Sequence, residues 1–151
     1  MQKLINQAQI DDLDAIKQCA ELAYQPYIAA IGRKPAPMVA DFAKLISEKK
    51  VYIKKDGEQK LTGFIVFYPI DTWMHLENIA VMPNAHGKGI GKELMSFCEN
   101  QTKILGLSQV QLYTNEKMQA NLEIYPKLGY VEIDRRLEDG FHRVYFSKSL
   151  A

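Results

Sequence analysis

The sequence predicts an α/β fold of the α+β kind: a mixed, mainly antiparallel central sheet of about seven strands, flanked on both faces by about four helices. Three observations predict it. Strand-like runs pair off around turn signals, with Asp56-Gly57 between residues 51–55 and 61–68, and Glu138-Asp139-Gly140 between residues 130–137 and 141–147, which marks antiparallel neighbours. Elsewhere apolar residues recur at three- and four-residue steps, the period of a helix with one buried face. Finally, 151 residues with 47% apolar side chains form one domain, residues 1–151, with enough apolar surface for a core.

In chain order, residues 3–9 read as a first strand. Asp11 is placed to cap a helix, Asp14 favours its positive end, and Leu13, Ile16, Ala20 and Ala23 carry the apolar face to about Tyr24. Residues 25–37 read as a loop closed by Gly32, Pro35 and Pro37. A second helix starts near Pro37, where a missing N–H does no harm, and runs to about Lys49 with Met38, Phe42, Leu45 and Ile46 on one side. The first hairpin follows, then a bend over residues 69–72 and a strand over residues 76–81 that Pro83 stops. A third helix is expected from about Gly89 to Leu105, burying Ile90, Leu94, Phe97, Cys98 and Leu105 and ending at Gly106. Residues 110–114 give another strand. Residues 118–128 give a fourth helix, with Pro126 tolerable only because little helix follows it, and the second hairpin completes the sheet.

Composition excludes several function classes. Formal charge is +1 and the sequence pI about 7.7, with Lys and Arg scattered among nearly as many acids, so nucleic acid is not an expected partner. No run approaches the roughly 20 apolar residues of a membrane span, and the expected location is cytoplasmic. Cys19 and Cys98 fall at apolar helical positions and read as core filler. His75, His86 and His142 lack ligand spacing, so no metal is expected.

The chemistry concentrates between Met74 and Leu94. Three glycines at alternate positions, Gly87, Gly89 and Gly91, lead from the strand into the third helix. Without Cβ atoms there, a ligand can approach the backbone, where free N–H groups and the positive helix end converge on a phosphate. Lys88 and Lys92 add mobile positive charge. The spacing is not that of a P-loop, because Lys92 is followed by Glu93 rather than Ser or Thr, and the third glycine of a dinucleotide fingerprint is missing. What remains is a cradle for one pyrophosphate.

His86-Gly87-Lys88-Gly89-Ile90-Gly91 resembles the pyrophosphate loop of the GNAT superfamily of N-acetyltransferases, whose pattern is Gln or Arg, two residues, Gly, one residue, Gly or Ala. Gly89 and Gly91 match, and His86 stands at the opening position. Downstream, residues 121–130, from Asn121 through Tyr125 to Gly129-Tyr130, resemble the family's later helix ending in Tyr, three residues, Gly and an aromatic. The resemblance implies acetyl-CoA as cosubstrate. Its pyrophosphate would lie on residues 86–92, namely His86, Gly87, Lys88, Gly89, Ile90, Gly91 and Lys92. Its pantetheine arm would lie along the main chain at Ile79, Ala80 and Val81, in a wedge between two splayed strands.

Direct transfer to a primary amine raises two proton problems. An alkylamine is about 3.4 pH units from half deprotonation at pH 7, which costs roughly 4.6 kcal/mol unless a base helps. Glu77, a carboxylate in an otherwise apolar strand, is the candidate base, and His75, on the same face by alternation, is the reserve. The leaving thiolate needs a proton, and Tyr125 occupies the position of the family's general-acid tyrosine. Asn121 lies one helical turn before Tyr125, on the same face, where its amide can hold the cofactor. The resemblance also implies that the loop over residues 24–38 covers the acceptor site with help from the last hairpin. Tyr24, Tyr27, Arg33 and His142 are the acceptor-site candidates. The acceptor is a small-molecule or peptide amine, and a homodimer fits the family's habit. The alternatives are an acyltransferase using another acyl donor and a non-catalytic module that senses acetyl-CoA.

Overall fold

Period-two burial along short runs builds the sheet, and the computed structural model describes it over residues 5–150. Its strands are β1 (Ile5–Gln7), β2 (Val51–Lys55), β3 (Leu61–Ile70), β4 (Trp73–Val81), β5 (Gln109–Asn115), β6 (Val131–Glu138) and β7 (Phe141–Ser149). They lie in the order β1-β2-β3-β4-β5-β7-β6. Among the described residues only β4 and β5 pair in parallel, so the expected mixed, mainly antiparallel seven-stranded sheet is what forms. The helices are α1 (Leu13–Tyr24), a single turn α2 (Ile28–Ile31), α3 (Phe42–Ser47), α4 (Ile90–Ile104) and α5 (Gln119–Lys127). Along β3, Phe64 and Val66 pack with Ile16, Cys19 and Phe42 under α1 and α3. Ile65 and Phe67 pack the other way, with Leu94 and Cys98 of α4 and Tyr125 of α5.

Where the structure departs from the sequence reading, a local hydrogen bond or a longer ladder is the reason. The first strand is seen from Ile5, and residues 3 and 4 lie outside the described residues. Asp11 does not cap α1: a 3-10 turn over Ile10–Asp12 comes first, and the Asp12 carboxylate accepts from the Gln9 N–H at 2.8 Å. The loop over residues 25–37 contains α2. The second helix is split: a 3-10 turn over Ala36–Val39 ends at extended Ala40, and α3 begins after Asp41, whose side chain accepts from the Lys44 N–H at 3.1 Å. No bend interrupts residues 69–70, since Pro69 pairs with Met74 and the turn is only Asp71-Thr72. Leu105, expected inside, is 56% exposed because α4 has already ended at Ile104.

α4 is clamped to the sheet. A Cβ on Gly63 would stand 2.9 Å from the Ala80 carbonyl oxygen and 3.2 Å from both Ile90 and Leu94, so glycine is required for the helix to sit this close. Leu94 is fully buried, and truncating such a leucine costs about 2–5 kcal/mol. Both thiols are core filler: burial pushes Cys19 and Cys98 up to about 12.

Buried phenols make the fold sensitive to alkali. Tyr24, Tyr125 and Tyr130 are buried, and burial raises the pKa of each. The unfolded chain ionises tyrosine from about pH 10, where the folded chain keeps its protons, so stability present below that pH is lost as pH rises. Each group removes up to about 1.4 kcal/mol per pH unit. The urea midpoint should therefore fall steeply between about pH 10 and 12 and change little between about pH 8 and 9; a flat alkaline limb would contradict this.

Candidate active site

β4 and β5 stay together only briefly. Met74–Leu76 pair with Val110–Leu112, after which β5 follows β7 and β4 follows β3, opening a wedge. The Met82 N–H donates to the Thr62 carbonyl at 2.8 Å, and bonded and non-bonded pairs alternate along an antiparallel ladder. Ala80 therefore bonds to β3, while the main-chain groups of Ile79 and Val81 point into the wedge. This corrects the expectation for Ala80, whose polar groups are used by β3 and whose side chain is buried in the α1–α3 layer. The Ile79 carbonyl lies 2.8 Å from the Tyr24 hydroxyl.

A bulge sits at the mouth of the wedge. Val66 faces Asn78 and Phe67 faces Leu76, so Glu77 has no opposite residue; such bulges re-aim side chains. The Tyr68 hydroxyl donates to Glu77 Oε1 at 2.6 Å. His75 packs edge-on against the same tyrosine, 5.4 Å between ring centres, so His75 and Glu77 do share a face. Burial lowers the His75 pKa and keeps its ring neutral at pH 7. Next in line, Asn78 accepts from the Tyr24 hydroxyl at 2.6 Å and donates to the Pro37 carbonyl at 2.9 Å, tying α1 and the following loop to β4.

The wedge contains a pocket of about 110 Å³. Glu77, Asn78 and Ile79 line it from β4, Asn121 and Tyr125 from α5, and Arg143 from β7. Tyr125 is held between Tyr130 and Phe146, with ring centres 5.9 and 5.7 Å away. Its hydroxyl has no hydrogen-bond partner among the described residues, yet no buried side-chain polar atom there is unpartnered, so the hydroxyl opens on the pocket. Burial raises its pKa, which keeps the phenol protonated at neutral pH. The Asn121 amide donates to Thr114 Oγ1 at 3.0 Å, leaving its carbonyl oxygen for a ligand.

The glycine-rich segment enters α4 in a conformation that few residues adopt. Gly87 and Gly89 have φ of +81° and +75°, and a Cβ on either would meet nothing within 4 Å. The N–H groups of residues 87–92 find no acceptor among the described residues, the first bond being from the Glu93 N–H to the Gly89 carbonyl at 3.0 Å. Main-chain donors thus border open space at the positive end of a 15-residue helix, which suits an anion. Lys54, 4% exposed, pairs with Glu93 and compensates the acid in that first turn. The sequence reading missed this pair, which only the packing of α4 on β2 brings together.

Residues 16–130 match the family model described as acetyltransferase (GNAT) family. The chain belongs to the GNAT acetyltransferase family. No curated protein matches the sequence. Among solved structures it is similar to the PaiA N-acetyltransferase from Thermoplasma acidophilum in complex with coenzyme A, at 19% identity and TM-score 0.73 with 99% of each chain covered. It is similar to a GNAT acetyltransferase from Staphylococcus aureus Mu50, at 14% identity and TM-score 0.77 with 99% of this chain and 100% of that one covered. It is also similar to the ribosomal-protein-S18-alanine N-acetyltransferase from Escherichia coli, at 16% identity and TM-score 0.71 with 99% and 95% covered. At these identities the likeness is one of fold.

Within this GNAT fold the acceptor-site candidates scatter. Tyr24 lines the pocket together with Pro35 and Pro37. Tyr27 packs into the α1–α3 core instead. Arg33 donates to the Asp139 carbonyl and lies 3.6 Å over the Phe141 ring, strapping the loop to the last turn rather than lining the pocket. His142, with 62% of its side chain exposed, stands 3.6 Å from Glu116 outside the pocket. The cation that does line the pocket is Arg143, 13% exposed and 4.4 Å over the Tyr113 ring. Period two on β7 is the signal that could have found it, since Phe141 and Arg143 share a face and His142 takes the other.

Proposed function

We propose that this protein is an acetyl-CoA-dependent N-acetyltransferase that moves the acetyl group directly to a primary amine of a small molecule or peptide. The observation that carries the reading is a pocket between β4 and β5 lined by both a carboxylate and a phenol, on a chain whose β4 runs on into a segment of unbonded amides at residues 87–92. The amides of the loop, with Lys88 and Lys92, hold the pyrophosphate, His86 flanks it, and the outward groups of Ile79 and Val81 take the pantetheine amides as a further strand edge would. The Asn121 carbonyl oxygen helps to orient that arm. The thioester then lies beside Tyr125.

The amine nitrogen attacks the thioester carbonyl carbon, the C–N bond forms and the C–S bond breaks. The amine proton passes to Glu77, which the Tyr68 hydroxyl fixes in place, and the thiolate takes the Tyr125 proton. Glu77 rather than His75 is the base in this reading because Glu77 lines the pocket and His75 does not. Retention of both proton-handling groups favours catalysis over a sensing role, which needs only the cradle.

Calorimetry with acetyl-CoA and thiol release over a panel of amines test the proposal. Glu77→Gln should lower kcat/KM about a hundredfold, whereas His75→Gln should leave it nearly unchanged. If Glu77→Gln does not change the rate, His75 or a water chain is the better base. Absence of acetyl-CoA binding at millimolar concentration would reject the function altogether.

A further inference from the structure

The pocket carries one charge of each sign. Glu77 lies on β4, and Arg143 lies two strands away on β7. An aromatic floor joins them: Tyr68 bonds Glu77 and meets His75 at 5.4 Å, His75 meets Tyr113 at 5.9 Å, and the Arg143 guanidinium stacks on Tyr113 at 4.4 Å. Stacking holds the guanidinium in one orientation and leaves its edge free to donate.

Two acids approach Arg143 without saturating it. Glu138 is 3.5 Å away and is also held by the Tyr145 hydroxyl, and Asp139 is 3.9 Å away with most of its side chain in solvent. Good charge-assisted hydrogen bonds are nearer 2.7–2.9 Å, and an Arg has five donors to satisfy. A half-buried guanidinium with spare, fixed donors is built for a planar anion held by two parallel bonds.

We infer that the acceptor is a small amine bearing its own carboxylate, an amino-acid-like zwitterion whose carboxylate binds Arg143 while its amine is presented to Glu77. The inference rests on the acetyltransferase reading and names its substrate class. It disfavours polyamines, whose second cation would face Arg143. It also disfavours long peptides presenting an N-terminus, whose terminal carboxylate lies many residues from the amine.

Acetyl-CoA binding is measured first by calorimetry; its absence overturns the acetyltransferase reading and this inference with it. Given binding, thiol release is compared for matched pairs that differ only in the carboxylate, phenylalanine against phenethylamine and lysine against 1,5-diaminopentane, with long peptides alongside. The expected result is a kcat/KM at least tenfold higher for the amino acid of a pair. Arg143→Gln should bring that ratio toward one through KM, Arg143→Lys should restore part of it, and Arg135→Gln on the exposed outer strand should leave it alone. Equal or better turnover of the decarboxylated amines or of peptides overturns the inference while leaving the acetyltransferase reading standing. The comparison on the unaltered protein decides this even if the Arg143 variants fail to fold.

Discussion

Tyr125→Phe should lower kcat about a hundredfold to ten-thousandfold, the range for losing a positioned proton donor, while the affinity for acetyl-CoA changes less than about twofold. Without a donor the thiolate must leave as an anion into a pocket walled by Ile79, Phe141 and other apolar surface, where burial raises the cost of charge. The raised pKa of Tyr125 does not argue against this role. The same burial that disfavours phenolate also disfavours thiolate, so the raised pKa does not by itself make the proton transfer between them less favourable. Because the Tyr125 hydroxyl bonds to nothing among the described residues, its removal should leave the thermal midpoint within a degree or two, whereas loss of a structural tyrosine would lower it. A variant with full turnover would remove Tyr125 from the mechanism and leave the fold untouched.

What the sequence made legible was governed by local chemistry. The two hairpins follow from Asp56-Gly57 and Asp139-Gly140, and α4 runs almost to its expected limits because the glycine segment opens it and Gly106, at φ +76°, closes it. The open backbone before α4 was legible for the same reason, since the free space beside Gly87 and Gly89 comes from the absence of side chains that the sequence itself declares. The rest depended on partners distant in the chain. The bulge that re-aims Glu77 is a matter of register against β3. The break at Ala40 lets Asp41 cap α3, and no hydrophobic period marks it. Arg143 is set on the pocket wall by stacking on Tyr113, a contact 30 positions away in sequence, whereas Arg33 is drawn to the hairpin turn by the Asp139 carbonyl and Phe141. Charge and residue type nominated Arg33 and His142, and tertiary packing put Arg143 on the pocket wall instead.

The cradle admits a test with its own internal control. Gly89→Ala forces an L-residue into φ +75°, at a conformational cost of roughly 1–2 kcal/mol, and projects a methyl group into the space where a diphosphate would lie. Gly106→Ala imposes the same strain, since Gly106 has φ +76° and its Cβ would likewise meet nothing within 4 Å. It sits at the opposite end of α4, a helix of 15 residues or about 22 Å at 1.5 Å per residue. The two variants should lose similar stability by urea titration. Only Gly89→Ala should raise the Kd for acetyl-CoA, by tenfold or more, because bare amides cannot close on the pyrophosphate oxygens past a Cβ. Equal affinity in the two variants would mean that the anion is not gripped by the main chain before α4, and the wedge would then have to bind its thioester by another route.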